Sequence, residues 1–571
     1  MILPNKWGQG ALFASSDYSN PCPRFDARLC GDRFAFAFDT QAKCTLSVYA
    51  DECAFISFDA VMTDYIKAKL QINDQSFGVT AIFASPNTVL ISSDYAVEVK
   101  AEFERSASTK KGKKCTEYLL ENEEYALASK KENGRITYAF CYGKGAGATA
   151  AAALETPFEA YDAQRLSFYH SLPEFKIPNE QIEKLYYRCA SVLFACSHPG
   201  EGLIKSPYVA PAQGSMNAAY SFWSAICTLG MRHLAPDLAK STLEAILSAQ
   251  SGDGMIPSQV SATAKSCDIN PPVLAWCMWE LYQINKDADM LNRAYAPLKK
   301  YIHYIMETRD INKNHLFEWQ TNELPELFGK ESTMDNSPRF DDGIILDSID
   351  LTAFVANEAH YMSLIADQID KHGESLYWDV VFERIKNAVN ELLFDEDDKI
   401  YYDRAVVSNM LKKVKSSASF LPLFAGVCEN RNAMALLKFL NTPERFNRKF
   451  GVPSLSADED DYGSDFWRGP VHIHHNYLIA KGLEKYEMHD KANELKAKSL
   501  DAVLQEYENC AVLYEYYSPD GDRCAASLPK MDYGASSFML AQNNVNARDF
   551  APTAAIIVDM LLTKSKKSPS R

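Results

Sequence analysis

Positive charge is scarce in this 571-residue chain: 59 lysines and arginines against 75 aspartates and glutamates leave a formal net charge of −16 at pH 7. A phosphate backbone or an anionic bilayer is gripped by basic patches, so nucleic acid and membrane surfaces are set aside as partners in favour of a small neutral ligand. The one basic run, KSKKSPSR at 564–571, reads as a disordered tail. No apolar stretch approaches the ~18 residues of a membrane span, and no cationic segment followed by an apolar core opens the chain. The 14 cysteines form no CxxC pair and lie scattered in apolar runs. Reduced thiols and a cytoplasmic location are therefore expected. No metal-ligand spacing stands out either. His472, His474 and His475 fall on different sides of a helix, so neither a metal nor a cofactor is expected. Nothing here sets an oligomeric state.

Hydrophobic residues make up 47% of the chain and charged residues 23%, a globular balance. The length suggests two domains. Up to about residue 142 the pattern has period two, as in TLSVYA (45–50), FGVTAIF (77–83) and AVEVKAEF (96–103). ENG at 132–134 reads as a tight hairpin turn leading into RITYAF at 135–140. These strands predict an N-terminal β-sandwich over 1–142. The Ala/Gly-rich GKGAGATAAAA at 143–153 opens a linker or short helical segment to 176.

From 177 to 563 the period becomes 3.6, and the protein is read as mainly α. Helices are expected at 179–197, 217–233, 236–250, 270–284, 286–308, 348–370, 374–394, 412–425, 430–441, 470–487, 490–508 and 534–562. Asn179, Pro236-Asp237, Pro271-Pro272 and Asp347-Ser348 supply start signals. The connections alternate strictly, short after every even helix and long after every odd one. Short loops make antiparallel neighbours, so all the long loops gather at one end. Such hairpins closed in a ring make an (α/α)6 toroid, with its pocket at the long-loop end.

The long loops hold the chemistry-bearing residues: YSFWS at 220–224, GDGMIPSQ at 252–259, ESTMDNSPRFDD at 331–342, DFWRGPVHIHH at 465–475 and LYEYYSPDG at 513–521. Aromatic rings, planar polar groups and isolated carboxyls on one face suit a sugar: rings stack on a pyranose and amide or guanidinium groups take its hydroxyls. Glycosidic cleavage needs two carboxyls flanking the bond, one of them protonated.

MDNSPR at 334–339, WRGPV at 467–471 and YEYYSP at 514–519, in this order, resemble the motifs of glycoside hydrolase family 63 and its (α/α)6 relatives, as does PPVLAWCMWE at 271–280. The resemblance covers about 180–560. It implies an inverting, exo-acting hydrolase of an α-glycosidic bond, in an α-glucoside or a mannosyl or glucosyl conjugate. By motif, Asp335 would be the general acid and Glu515 the general base. Phe222, Trp223, Gln259, Asn336, Arg339, Trp467, Arg468 and Tyr514 would bind the sugar. Glu331, Asp341 and Asp342 read as structural or exposed, with Glu331 a candidate to orient Arg339. Where the family carries Trp-Asp, this chain has Trp223-Ser224, and His472 stands in place of a tryptophan. Two alternatives follow: a sugar-binding protein without turnover, or a phosphorylase of the same fold.

Overall fold

The computed structural model describes residues 11–14, 24–30, 33–38, 44–50, 53, 55–112, 115–120, 122–176, 179–213, 216–320, 329–530 and 546–563. Two compact units result, Met1–Pro199 with Leu504–Leu513, and Gly200–Val503 with Tyr514–Arg571.

Among the described residues up to Tyr142, the first unit holds thirteen strands: β1 Ala11–Ala14, β2 Arg24–Cys30, β3 Arg33–Phe38, β4 Cys44–Ala50, β5 Phe55–Val61, β6 Tyr65–Ile72, β7 Gln75–Ser85, β8 Thr88–Ser93, β9 Val97–Phe103, β10 Ser108–Lys111, β11 Cys115–Leu120, β12 Glu123–Glu132 and β13 Arg135–Tyr142. They form two antiparallel sheets, ordered β1-β2-β3-β4-β9 and β10-β11-β12-β13-β8-β7-β6-β5. Rings from the two sheets meet, Phe103 with Tyr125 at 5.2 Å and Phe13 with Phe83 at 4.9 Å between centroids. The β12–β13 turn is the expected hairpin: Glu132 pairs with Arg135, and Asn133 and Gly134 take φ of 51° and 82°. The Ala/Gly-rich stretch carries α1 Ala146–Ala153, packed on β12 and β13, and is followed by α2 Phe158–His170 on β7. Helix α3 Glu180–Ala195 also belongs to this unit, beyond the expected boundary at 176. Asn179 caps it, accepting from the backbone N–H groups of Gln181 and Ile182. Its Arg188 donates to the Leu12 carbonyl at 3.1 Å, and Ser191 bonds Thr63.

The second unit is helical: α4 Trp223–Leu234, α5 Pro236–Ser248, α6 Leu274–Asn285, α7 Ala288–Thr308, α8 Ile349–Gln368, α9 His372–Leu392, α10 Leu421–Ala425, α11 Asn430–Leu440, α12 Ile473–Lys485 and α14 Ala551–Leu562. Helix α13 His489–Cys510 belongs to it up to Val503. Connections after α4, α6, α8, α10 and α12 are a few residues long, and those before these helices are long. Helix α4 touches α6, α6 touches α8, α8 touches α10, α10 touches α12, α12 touches α14, and α14 returns to α4.

Several helices start later than their periodicity predicts, α4, α6, α10 and α14 among them. The segment before Trp223 is extended because Ala219 and Tyr220 pair with Val260 and Gln259 across the second long loop. The expected 412–425 helix is cut to α10: Leu411–Lys412 is a strand, Ser417–Phe420 a 3₁₀ turn, and Gly426 at φ 78° stops the helix. Of the expected 534–562 helix, 534–545 lies outside the described residues, as does the 564–571 tail, and 546–550 is not helical.

Where α4 and α14 cross, Gly230 admits the partner backbone; a Cβ there would lie 2.6 Å from the Ala555 Cα. Buried charge secures the same crossing. Arg232 of α4 donates to Asp559 of α14 at 2.7 Å and also pairs with Glu280 of α6, while the Tyr477 hydroxyl of α12 donates to Asp559 at 2.6 Å. Removing one partner leaves the other charge uncompensated. Asp559→Ala should therefore cost about 3–5 kcal/mol, read as a lowered thermal midpoint in calorimetry; an unchanged midpoint would show that the network is not what secures α14.

Candidate active site

The loop before α8 carries the expected acid. Lys330–Ser332 and Pro338–Phe340 are single 3₁₀ turns, and Asp335 sits between them in a tight turn closed by the Ser337 N–H on the Met334 carbonyl at 2.9 Å. Thr333 takes the left-handed conformation at φ 64°. Gly329 lies against this turn, where a Cβ would fall 2.7 Å from the Asp335 carbonyl oxygen. Arg339 then anchors the loop. Its Nε and Nη2 donate to Asp403 at 2.7 Å each, and its Nη1 and Nη2 donate to Asp350 at 2.8 and 2.9 Å.

The four carboxyls of ESTMDNSPRFDD separate in this setting. Glu331 is buried and forms a two-point pair with Arg309, at 2.7 and 2.8 Å. Arg309, and not Arg339, is thus its partner. Asp341 pairs with Arg468 at 2.6 Å and Asp342 with Lys412. Asp335 alone has no ion-pair partner among the described residues. Burial pushes its pKa up to about 6; the Lys530 ammonium pulls against this and the Glu515 carboxylate adds to it.

Glu515 comes from the loop after α13. Next to it, Tyr516–Tyr517 pairs with Val471–His472 as a two-residue ladder. Asn546 holds its backbone: the amide oxygen accepts from the N–H groups of Glu515 (3.1 Å) and Tyr516 (3.4 Å), and the amide nitrogen donates to the carbonyls of Tyr516 and Ala525. The Glu515 carboxylate accepts from Lys530 Nζ at 2.6 Å. Tyr220 faces the same charge; its hydroxyl is pushed up to about 12, first by burial and then by Glu515. Lys530, Tyr220 and Asn546 were not singled out from the sequence. Tyr220 did stand in a quoted long-loop motif, but Lys530 and Asn546 carry no local signal.

Several expected sugar contacts have other duties. Arg339 is 1% exposed and its donors are spent on two aspartates, so it holds the loop and is not a sugar ligand. Asn336 is likewise committed, donating to Asp465 at 3.0 Å and accepting the Trp467 N–H at 2.9 Å, so it joins two loops. Trp467 and Tyr514 are each 0% exposed. Trp467 stacks on His472 with centroids 3.5 Å apart and planes at 3°. Burial holds that imidazole well below its usual pKa, and its Nε2–H donates to the Phe466 carbonyl. Phe222 is enclosed by Trp223, Phe354 and His474. These three rings therefore shape the site from within and offer a sugar no surface. Trp223 keeps a small accessible edge, and Gln259 and Arg468 retain accessible surface. Ser224 is fully buried and accepts the Tyr220 N–H at 3.0 Å.

Cutting the bridge between the two loops should loosen the turn that carries Asp335 without removing either expected catalytic carboxyl. Displacement of a reacting group by about 1 Å costs on the order of 10²-fold in rate. Asn336→Ala should thus lower kcat by about 10–100-fold while leaving the thermal midpoint within a few degrees; a kcat equal to wild type would show that the bridge positions nothing.

A family model described as a mannosylglycerate hydrolase MGH1-like glycoside hydrolase domain matches residues 219–536, more than half of the chain. An uncharacterised protein of Borreliella burgdorferi is 26% identical over 239 residues, 42% of this chain and 48% of its own length, so this chain spans about half of that relative. Mannosylglycerate hydrolase MGH1 of Selaginella moellendorffii is 22% identical over 393 residues, covering 55% of this chain and 78% of the plant protein. A crystal structure of a GH63 mannosylglycerate hydrolase from Thermus thermophilus in complex with glucose shares the fold, at 20% identity and a TM-score of 0.56, covering 66% of this chain and 99% of that one. The protein therefore belongs to the MGH1-like glycoside hydrolases, within glycoside hydrolase family 63.

Proposed function

We propose that the protein is an inverting, exo-acting hydrolase of an α-glycosidic bond, taking a small α-glucoside or a mannosyl or glucosyl conjugate. Asp335 is the general acid that protonates the leaving oxygen, and Glu515 is the general base that deprotonates a water attacking C1 from the opposite face. One observation carries this reading. Among the four carboxyls of ESTMDNSPRFDD, only Asp335 lacks a cationic partner among the described residues, and its pKa of about 6 suits a proton donor. The cyclic order of contacts from α4 through α14 back to α4 supports an (α/α)6 toroid around the site. The scattered cysteines, none of them in a CxxC pair, support a reducing, cytoplasmic setting. No described helix is long and apolar enough to cross a membrane.

The test is turnover of α-mannosylglycerate, α-glucosylglycerate, kojibiose, nigerose, maltose, isomaltose and trehalose, with the first-formed anomer read by NMR. With the two glycerate conjugates, whose leaving group has no anomeric centre, inversion releases the β-anomer first; an α-anomer released first from these would refute the mechanism. Asp335→Asn and Glu515→Gln should each lower kcat by about 10²–10⁴-fold in a folded protein. A liganded crystal structure should place the two carboxyls about 6.5–9.5 Å apart, and a separation near 5 Å would indicate retention.

The pH dependence has a definite sign. Asp335 works in its protonated form, so kcat/KM should hold below a pKa of about 6 and fall as pH rises through it. In Asp335→Asn that basic limb should vanish, and a limb unchanged in the variant would assign it to another group.

A further inference from the structure

Glu515 is held in an unusual way for a group that must accept a proton. One oxygen, Oε2, accepts from Lys530 Nζ at 2.6 Å. Among the described residues no donor reaches the other oxygen, Oε1. The lysine is placed by construction. The carbonyl of the preceding Pro529 accepts both the Tyr516 hydroxyl, at 2.9 Å, and the Phe466 N–H, at 3.3 Å. Tyr516 adjoins Glu515 in sequence. Phe466 lies under the ammonium, whose nitrogen is 4.7 Å from the ring centroid. Residues beside both the carboxylate and the ring thus fix where the ammonium sits, and its side chain is only 15% exposed.

We propose that Lys530 is a positioning residue for the base: it clamps Glu515 Oε2 so that Oε1 alone faces the attacking water and takes its proton. This rests on Glu515 being the base. In the step itself a bond forms between the water oxygen and C1, and the bond from C1 to the leaving group breaks with its electron pair. The water proton passes to Oε1, while Lys530 keeps its protons throughout. A carboxylate free to rotate would present either oxygen at a spread of angles; one tied at Oε2 presents a single lone-pair direction.

Glycosyl fluorides separate this step from the acid's, because fluoride leaves without protonation. The probes are α-mannopyranosyl and α-glucopyranosyl fluoride, with release followed by a fluoride electrode. Lys530→Met, and Lys530→Gln as the second variant should Met not fold, should lower kcat by about 10²-fold with KM unchanged within about twofold. Lys530→Arg, which restores a cation on Oε2, should recover most of that loss. In a Glu515→Gln background, Lys530→Met should add nothing further, since its partner is gone. A loss in KM alone, an arginine variant no better than methionine, or a full additional loss in the double variant would each overturn the inference. The two readings fail separately. Near-normal turnover in Glu515→Gln removes the base assignment, and the inference with it. An inactive Glu515→Gln beside a normal Lys530→Met removes only the role of Lys530.

Discussion

A single guanidinium, Arg339, fixes the working end of the second unit. It is buried between Asp350 and Asp403, with four charge-assisted hydrogen bonds of 2.7–2.9 Å. A cation so enclosed is tolerated only because both carboxylates are there to meet it. The cluster carries one negative charge in excess, and neutral donors oppose it: Trp319 Nε1 and the Leu351 N–H on Asp350, and the Ile349 N–H on Asp403. Two of those N–H groups belong to the first turn of α8, where the helix dipole favours an anion. The clamp thus joins the acid loop, the start of α8 and the Asp403–Ala405 strand. Asp335 lies four residues before the arginine, so its turn is held at one end by the clamp and at the other by Glu331 on Arg309.

That arrangement explains how one acid in a crowded stretch is left without a cation of its own. Glu331, Asp341 and Asp342 each pair with a cation. Asp335 meets burial without such a partner, and the opposing charge that acts on it most, Lys530, is engaged by Glu515. The two carboxyls proposed for catalysis are therefore set apart by surroundings and not by residue type. The same lysine that pairs with one of them limits how far the pKa of the other can rise.

Much of the architecture was legible because it rests on periodicity. A stripe at 3.6 residues and the alternation of loop lengths are local properties, and they located most of the helices within a few residues. The failures occur where a distant strand or turn overrides local preference. Ala219 and Tyr220 are drawn into a ladder with Gln259 and Val260, and Ser416 pairs across to Leu455 as an isolated bridge just before α10. Within the site, the motifs pointed to the loops but not to the duties of their members. Arg339 and Asn336 look like sugar ligands on the chain. Their partners, Asp403 and Asp465, stand 64 and 129 residues away and cannot be paired with them by inspection. Lys530 has the same problem, lying in an aperiodic segment that meets Glu515 only through the fold.

Ser224 shows how a change of residue can redirect a site. A carboxylate at this fully buried position would bring its own desolvation cost and a charge needing compensation. The serine instead turns its hydroxyl to the Tyr220 N–H at 3.0 Å, closing the backbone at the entrance to α4. Tyr220 is thereby fixed where its hydroxyl feels Glu515, and with its pKa pushed up to about 12 it stays neutral at any working pH. A neutral phenol can both donate and accept a hydrogen bond, whereas a carboxylate only accepts. The polar surface near Glu515 is thus set for a partner that can satisfy both roles, which a sugar hydroxyl or a water does.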